Sequence, residues 1–416
     1  MATPMSSNAD SATPRLDVLV NAARELVPMI AAAAPGYRSK ADLPVEIVAA
    51  MKAAGLHRPY MPRRYGGYEM DWGAHYAISR EIARACGSAG WFASLVFSHI
   101  MFVGRFPREA QDEFFSVSPD AVLSTASAGG GALTAVPGGM RLTGRWAFAS
   151  GVKYSGGQMV IAKQGDGALF SHFCLLLPGE YSIEETWDSE GLRATGSHHV
   201  RVDNQFVPAR RLVERDDFLS MAPPGSAVND SYIYRVRPAP YQKSWFMGVL
   251  LGTARGALES FVATTRTRRG QIFGESVAEQ VPVQVSLGTA VAEIDTAALV
   301  FDRYIEQLHD RGSRGIDLLG EDLLWGKRNV TFASRLCLSA IDRLSASMGA
   351  SGQSALNPVQ RHYRDCRTVT THIELNWDHA LAPTGKHRLG IATGDALIDG
   401  APPAPGTAQV MLGTQV

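Results

Sequence analysis

Three stretches that differ in residue composition and in hydrophobic periodicity follow one another along the 416 residues. Their order restricts the fold more than any single motif does. Residues 15–121 and 244–385 repeat apolar side chains at helical spacing. Residues 122–215, in contrast, are rich in Gly, Ser and Thr and alternate as half-buried strands do. We therefore predict an α+β protein, mostly α, with an N-terminal helical domain, a middle antiparallel β domain and a C-terminal four-helix bundle.

The bundle is predicted from four long segments with helical periodicity. They are Trp245–Arg266, Val281–Arg311, Leu318–Met348 and Val359–Leu381. Residues 216–243 contain several prolines and are predicted to be a linker or loop. Residues 1–14 are small and polar and predict a disordered tail, and residues 386–416 predict a second tail.

Charge and cysteine content exclude several classes of protein. Basic and acidic residues number 40 each, so no electrostatic footprint for nucleic acid or an anionic membrane is expected. The four cysteines lack CxxC spacing, which argues against a disulfide framework or a metal site. The N-terminus lacks a signal-peptide core, and the longest apolar stretches are too short to cross a bilayer. We expect a cytoplasmic protein that acts on a small molecule, with no membrane and no metal.

Several strings then resemble the acyl-CoA dehydrogenase family. They are GLRATGSHHVRVDNQFVPARR (191–211), WAFASG (146–151), RTRRGQIFG (266–274) and NPVQRHYRDCR (357–367). The resemblance covers roughly residues 15–385 and is carried most specifically by GLR-x-TGS together with PVQR-x-YRD. It implies a flavoprotein that forms a homotetramer, or at least a dimer, with flavin sites at the subunit interfaces.

Two features select a branch within that family. CGSAGWFASLVFSHIMFVGRFP (86–107) resembles a segment of the two-component flavin monooxygenases (group D), and His372 lies where that branch keeps a catalytic histidine. The glutamate that serves true dehydrogenases as a base is missing from its usual place, although Glu374 lies one residue away. The resemblance implies an oxygenase component that uses reduced flavin and O2, through a C4a-hydroperoxyflavin, to hydroxylate a small aromatic or heteroaromatic substrate.

No GxGxxG motif follows a strand, so the chain has no recognisable module for NAD(P)H. Reduced FMN or FAD must then come from a separate NAD(P)H-dependent flavin reductase. The sequence does not distinguish the two flavins.

Three residues are the candidate catalytic groups. We interpret Ser150 as the contact to the flavin N5 atom, although a serine in a turn before Gly151 is an alternative. We interpret His99 as a hydrogen-bonding group near the substrate, although it also fits a buried core histidine. His372 is predicted to take a proton from the substrate or to stabilise a peroxide, and Asn376, one helical turn later, to orient its imidazole.

The remaining candidates concern cofactor and substrate binding. Trp146 and Phe148 are predicted to share a strand face and to wall the flavin ring, with core packing as the alternative. Trp91 is assigned to the substrate side. Flavin phosphate or ring-edge contacts are assigned to Arg193, Ser197, Arg266, Arg269 and Phe273, the last three across a subunit interface. For each arginine a surface ion pair is the alternative.

Two other functions compete with the oxygenase. One is an acyl-CoA dehydrogenase that keeps FAD bound and uses Glu374 or another carboxylate as its base. The other is a catalytically inactive binding protein on the same fold, against which the retained His99, Ser150 and His372 argue.

Overall fold

The N-terminal region is helical, as predicted. The structure, a computed structural model, describes residues 13–166, 170–270 and 274–400. The first helices are α1 (Leu16–Ala33), α2 (Val45–Ala53), α3 (Ala74–Ala85), α4 (Gly87–Trp91), α5 (Ile100–Val103) and α6 (Arg108–Val117). Predicted tail residues 1–12 lie outside the described part of the chain. Gly55, predicted as a helix stop, follows α2 with a left-handed φ of 72°, a conformation that glycine adopts without strain.

One predicted helix is not continuous. Between α4 and α5 the backbone forms a π-helical turn, Phe92–Val96, whose residues are all buried. A π turn inserts one extra residue and rotates the side chains that follow, and such turns are frequent at functional sites. The π turn was not predictable from the sequence. A stretch that is hydrophobic on every side has no polar face whose shift would mark the extra residue.

The described strands all lie within the predicted range 122–215. They are β1 (Leu123–Ala126), β2 (Ala128–Val136), β3 (Gly139–Ala149), β4 (Gly157–Gln164), β5 (His172–Leu176), β6 (Ser182–Glu184), β7 (His198–Pro208) and β8 (Leu212–Glu214). Their order in the sheet is β6-β7-β3-β2-β4-β5-β8, with β1 paired to β4. The domain predicted as antiparallel is a mixed sheet, because β4 pairs in parallel with both β1 and β2 whereas the other pairings are antiparallel.

The segment predicted as a linker is packed rather than loose. It contains α7 (Arg215–Leu219) and α8 (Pro238–Gln242), with Phe218 and Tyr234 fully buried. The guanidinium group of Arg105, also fully buried, donates to the carbonyls of Phe218, Ser220, Tyr234 and Val236 at 2.5 to 2.9 Å. These bonds satisfy a buried cation with backbone dipoles and fix the segment against the N-terminal helices.

The C-terminal bundle has the predicted helices, with one break. Its helices are α9 (Ser244–Thr265), α10 (Val281–Ser313), α11 (Gly320–Ser347), α12 (Pro358–Val369), α13 (Trp377–Arg388) and α14 (Ala396–Asp399). The predicted helix Val359–Leu381 was wrong over 370–376, where α12 ends and a single 3-10 turn leads to α13. The side chains of His372 and Asn376 accept hydrogen bonds from backbone amides there, which favours new helix starts over continuation.

Two segments, Pro238–Thr265 and Val281–Ser313, are long and apolar enough to pass a composition test for a membrane span. The core helix of a soluble protein passes the same test, and 67% of the apolar window in the first segment is buried inside the fold. The predicted C-terminal tail is partly ordered, because α14 packs Ile398 against Leu323 and Leu324. Residues 401–416 lie outside the described part of the chain.

Candidate active site

A β-bulge near the end of β3 shapes one side of the site. The pairing of β3 with β7 shifts between Trp146 and Ala149. Within this bulge Phe148 has a φ of 65°, a strained value for a bulky residue, and its side chain is 58% exposed. Its ring contacts Trp187 edge-on at 6.2 Å. Exposed aromatic side chains next to a bulge are typical of a ligand site rather than of a core.

The same bulge overturns one prediction. Trp146 does not share a face with Phe148, because the extra residue breaks the alternation of the strand. Trp146 is fully buried in the β core and donates its indole N–H to the carbonyl of Ile161 at 2.8 Å. The structure therefore brings Phe148, but not Trp146, to the site.

A chain of hydroxyl groups lies directly behind the bulge. Ser150 Oγ accepts the indole N–H of Trp91 at 3.1 Å and lies 2.7 Å from Ser197 Oγ. Ser197 Oγ lies 2.7 Å from Thr195 Oγ1, which donates to the carbonyl of Leu192 at 3.0 Å. The GLRATGS loop and the WAFASG strand are thereby joined, with Trp91 of α4 as the third partner.

His372 faces the same region from the bundle. Its ring centroid lies 4.4 Å from that of Phe246 and 6.0 Å from that of Trp91. The imidazole Nδ1 accepts the backbone N–H of Glu374 at 3.2 Å, and Nε2 has no hydrogen-bond partner among the described residues. Burial lowers the pKa of His372 to about 4, so the ring is neutral at pH 7 and carries its proton on Nε2.

The predicted helix-face relationship between His372 and Asn376 was wrong. His372 precedes a 3-10 turn instead of lying within a helix, and Asn376 caps α13 by accepting the N–H of His379 at 3.1 Å. The imidazole is oriented by the amide of Glu374, a contact that helical spacing cannot reveal.

A buried ion pair lies beside His372. Lys243 Nζ is 3.2 Å from Glu374 Oε2 and also donates to the Glu374 carbonyl, and both side chains are less than a tenth exposed. Lys243 was not predicted from the sequence, because it lies 131 positions from Glu374 and no local motif indicates the ion pair. The Glu374 carboxylate is consequently engaged with a cation instead of facing the pocket as a free base.

His99 follows the π turn and packs against the indole ring of Trp245. Its Nδ1 is 3.1 Å from Thr125 Oγ1, and its ring is 5.0 Å from that of Trp245. Burial lowers the pKa of His99 to about 3, with His372 as a further cause, so this imidazole is also neutral at pH 7. Trp245 is buried, yet its indole N–H has no partner among the described residues. Sequence reasoning missed Trp245, since an aromatic residue in an apolar helix predicts core packing.

The predicted phosphate contacts are not all gathered at this site. Arg193 pairs with Asp188 at 2.8 Å and donates to the carbonyl of Ser189, as the surface alternative expected. Arg266 and Arg269 are exposed beyond the end of α9, and Phe273 lies outside the described residues. Over 13–166, 170–270 and 274–400, no group of three His, Cys, Asp or Glu side chains is arranged to hold a metal ion.

A helical domain, a β domain and a helical bundle around this site define the acyl-CoA dehydrogenase fold. Residues 15–115 match the family model "Acyl-CoA dehydrogenase, N-terminal domain", and residues 244–377 match "Acyl-CoA dehydrogenase, C-terminal domain". The fold prediction is confirmed.

The relatives narrow the class. The chain is 30% identical over 389 residues to the FADH(2)-dependent resorcinol hydroxylase, oxygenase component, of Rhizobium sp., covering 88% of this chain and 94% of the relative. It resembles the crystal structure of 3-HSA hydroxylase from Rhodococcus sp. RHA1, with a TM-score of 0.85 and 25% sequence identity. The match covers 92% of this chain and 99% of that structure. The structure of XiaF from Streptomyces sp., in complex with FADH2 and glycerol, is also similar, with a TM-score of 0.83 and 26% sequence identity. The match covers 91% of this chain and 96% of XiaF. The chain belongs to the family of flavin-dependent monooxygenase oxygenase components.

The family assignment decides between the predicted functions. The protein is a flavin-dependent monooxygenase, an oxidoreductase, and the acyl-CoA dehydrogenase alternative is not supported. The geometry gives a physical reason: the carboxylate nearest the usual base position, Glu374, is buried against Lys243.

Proposed function

We propose that the protein takes reduced flavin from a separate reductase and uses dioxygen to hydroxylate a small phenol-like aromatic compound. The observation that carries the proposal is the convergence of Ser150, Trp91 and His372, which come from three distant parts of the chain. The similar resorcinol hydroxylase is FADH(2)-dependent, and XiaF is in complex with FADH2, so FADH2 is the first flavin to test. The words "oxygenase component" favour a separate reductase.

The residues present fit a flavin. Phe148 offers an exposed aromatic ring, with the half-buried Trp187 edge-on to it. Ser150 lies two residues further along the chain, and its hydroxyl accepts the indole N–H of Trp91. When bound, reduced flavin supplies the electrons that activate dioxygen. The chain itself would position the ring, accept a hydrogen bond at Ser150, and exclude water with the surrounding aromatic side chains.

The pocket presents hydrogen-bond donors to the substrate or to oxygen. His372 offers Nε2–H, because its Nδ1 is occupied by the Glu374 amide. Trp245 offers an unpartnered indole N–H beside His99. We therefore assign His372 as a hydrogen-bond donor that orients an oxygen atom, in place of the proton acceptor suggested by the sequence.

The direct test uses isotopically labelled dioxygen with photoreduced FAD and simple phenols, resorcinol first. We expect the labelled oxygen atom in a hydroxylated product. Reoxidation of the flavin with hydrogen peroxide as the sole product for every phenol tried would refute the proposal.

The role of His372 is tested by a pair of variants. His372→Gln keeps an N–H donor, and we expect it to retain more product per reduced flavin than His372→Leu, which has none. His379→Gln is a matched control, since His379 is exposed on α13. Equal loss in both His372 variants would contradict a donor role.

We further propose that the protein is a cytoplasmic homotetramer. The observation that supports an oligomer is a set of apolar residues on α10 that stay mostly exposed in the single chain: Val281, Val285 and Leu299 are 66%, 61% and 72% exposed. Light scattering that gives the mass of a single chain at micromolar concentration would contradict an oligomer.

A further inference from the structure

The hydroxyl groups of Ser150, Ser197 and Thr195 form a chain in which the donor of each hydrogen bond can be deduced. The deduction compares the number of hydroxyl protons with the number of contacts. Three contacts join Ser150 to Ser197, Ser197 to Thr195, and Thr195 to the carbonyl of Leu192. Three hydroxyl protons are available, and a carbonyl can only accept. All three contacts are hydrogen bonds only if Thr195 donates to Leu192, Ser197 donates to Thr195, and Ser150 donates to Ser197.

This count fixes what Ser150 can offer to a ligand. Its proton is directed at Ser197, and one lone pair accepts the Trp91 indole N–H at 3.1 Å. The remaining lone pair is an acceptor. Because Trp91, Ser197 and Thr195 are all less than a tenth exposed, water does not easily replace these partners.

We infer that the Thr195–Ser197 chain makes Ser150 select reduced over oxidised flavin. This inference rests on the proposed function and on the sequence-based assignment of Ser150 as the contact to the flavin N5 atom. Reduced flavin carries a hydrogen on N5 and donates to the free lone pair, whereas oxidised flavin presents a bare nitrogen that needs a donor. Thr195 and Ser197 are positioning residues in this scheme, since they act through Ser150.

The size of the effect follows from one hydrogen bond. A hydrogen bond gained with one redox state and lost with the other changes the ratio of dissociation constants by about tenfold. Such selectivity suits a protein that receives its flavin already reduced, because spent oxidised flavin is released.

The test measures dissociation constants for photoreduced and oxidised FAD under anaerobic conditions. Ser197→Ala frees the Ser150 proton to donate to oxidised flavin, so we expect the preference for reduced FAD to fall about tenfold. Thr195→Val should act in the same direction by turning the Ser197 proton toward Ser150. Ser197→Thr keeps the hydroxyl and should keep the preference, and Ser116→Ala, on exposed α6, is the control.

Thermal unfolding without flavin checks that each variant folds. An unchanged ratio in both Ser197→Ala and Thr195→Val, or equal weakening for both redox states, overturns the inference. Failure of the proposed function gives a different result, because the wild-type protein would then bind neither form of flavin.

A second, independent observation concerns a cavity of about 250 Å³ on the other side of α4. Four arginines line it: Arg38, Arg193, Arg361 and Arg364. Asp365 and Glu190 offset part of this positive charge at Arg364, and Arg193 pairs with Asp188. Each oxygen of Asp365 also accepts a backbone amide, from Gly87 and from Leu192.

Two buried donors in this cavity lack partners. The hydroxyl of Tyr37, which is 4% exposed, and the Nε of Arg361 have no hydrogen-bond partner in the part of the chain that the structure describes. Burial lowers the pKa of Arg364 overall, with Asp365 and Glu190 raising it and Arg38 and Arg361 lowering it. Clustered guanidinium groups with spare donors are the chemistry that holds phosphate.

We propose that this cavity binds a phosphate group, separately from the flavin ring at Ser150. Calorimetric titration of the full-length protein with inorganic phosphate, in chloride buffer of matched ionic strength, tests it. We expect binding at one site that weakens about tenfold in Tyr37→Phe and in Arg361→Gln, each of which removes one donor to a charged ligand. Arg201→Gln, an exposed arginine on β7, should bind as the wild type does.

The source of the phosphate is distinguished by competition. Displacement of phosphate by FAD but not by FMN identifies the AMP half of the dinucleotide, whereas displacement by neither identifies a free phosphate or another ester. An absence of phosphate binding in the wild type, or wild-type affinity in both cavity variants, overturns the proposal. Tyr37→Phe breaks no protein hydrogen bond, so its folding without phosphate should be unchanged.

Discussion

Lys243→Met is the perturbation for which the structure makes the sharpest prediction. The substitution removes the cation that lies 3.2 Å from the buried Glu374 carboxylate, and Lys327 is then the cation that still interacts with this carboxylate. It also changes the charges around His372, because Lys243 lowers the pKa of that imidazole whereas Glu374 raises it. Stability and chemistry should therefore both respond.

The stability effect is set by the buried charge. Breaking one partner of a buried ion pair costs about 3–5 kcal/mol, mostly the penalty for the charge left behind. Removing both charges, as in Lys243→Met with Glu374→Leu, avoids that penalty. We expect urea unfolding to show a large loss for the single variant and a substantial recovery for the double variant.

The chemical effect has a defined sign. Without Lys243 the remaining Glu374 carboxylate favours the protonated imidazole, so the pKa of His372 should rise above its value of about 4. The neutral form, which we assign as active, exists above that pKa. Product formed per reduced flavin should therefore stay level down to a lower pH in the wild type than in the variant.

The assay combines two readouts on the same proteins. Unfolding free energies from urea titration give the double-mutant cycle. Product yield from pH 7 down to below about 4, the pKa of His372, gives the position of the acidic limb. A cost below about 1 kcal/mol for Lys243→Met, or a double variant no more stable than the single one, would refute the buried-pair argument. An unmoved acidic limb would refute the electrostatic link to His372.

Three further predictions use other parts of the molecule. Ser150→Ala should lower product per reduced flavin and raise hydrogen peroxide, as measured by chromatography and a peroxide assay; unchanged coupling would contradict a flavin contact. Leu299→Lys should shift the mass in light scattering toward the single chain, whereas Val18→Lys on α1 should not; no shift would remove α10 from the interface. Unfolding free energy should fall as pH drops from 6.5 to 5.5, by about 1 kcal/mol per buried histidine, because the unfolded chain takes up protons there and the folded chain does not; a flat urea profile would contradict it. The histidines concerned have pKa values lowered by burial to about 3 or about 4: His57, His75, His99, His362 and His372.

The long elements were predictable because their signals are local. Helices α9, α10 and α11 have the predicted bounds to within two residues, since periodic apolar spacing extends over many turns. The π turn and the break after Val369 were not predicted. In both places the backbone departs from a helix that the side-chain pattern still permits.

The site was predictable in part for a similar reason. Ser150, Trp91 and His372 were named from motifs, and the structure brings them together. The contacts that define their chemistry were not predictable, because they join distant residues. Ser197 lies 47 positions from Ser150, and the β-bulge that separates Phe148 from Trp146 is set by pairing with β7 rather than by alternation.

The fate of Glu374 connects the fold to the change of chemistry. A carboxylate near the bound substrate suits proton removal from an acyl thioester, and the chain retains one beside the usual position. Lys243 draws that carboxylate into an ion pair, and the Glu374 amide occupies His372 Nδ1. The Glu374 carboxylate thus forms an ion pair with Lys243, while the Glu374 backbone N–H donates to the imidazole of His372. The pocket receives a neutral Nε2–H donor in place of a base, which suits holding an oxygen atom more than removing a carbon-bound proton.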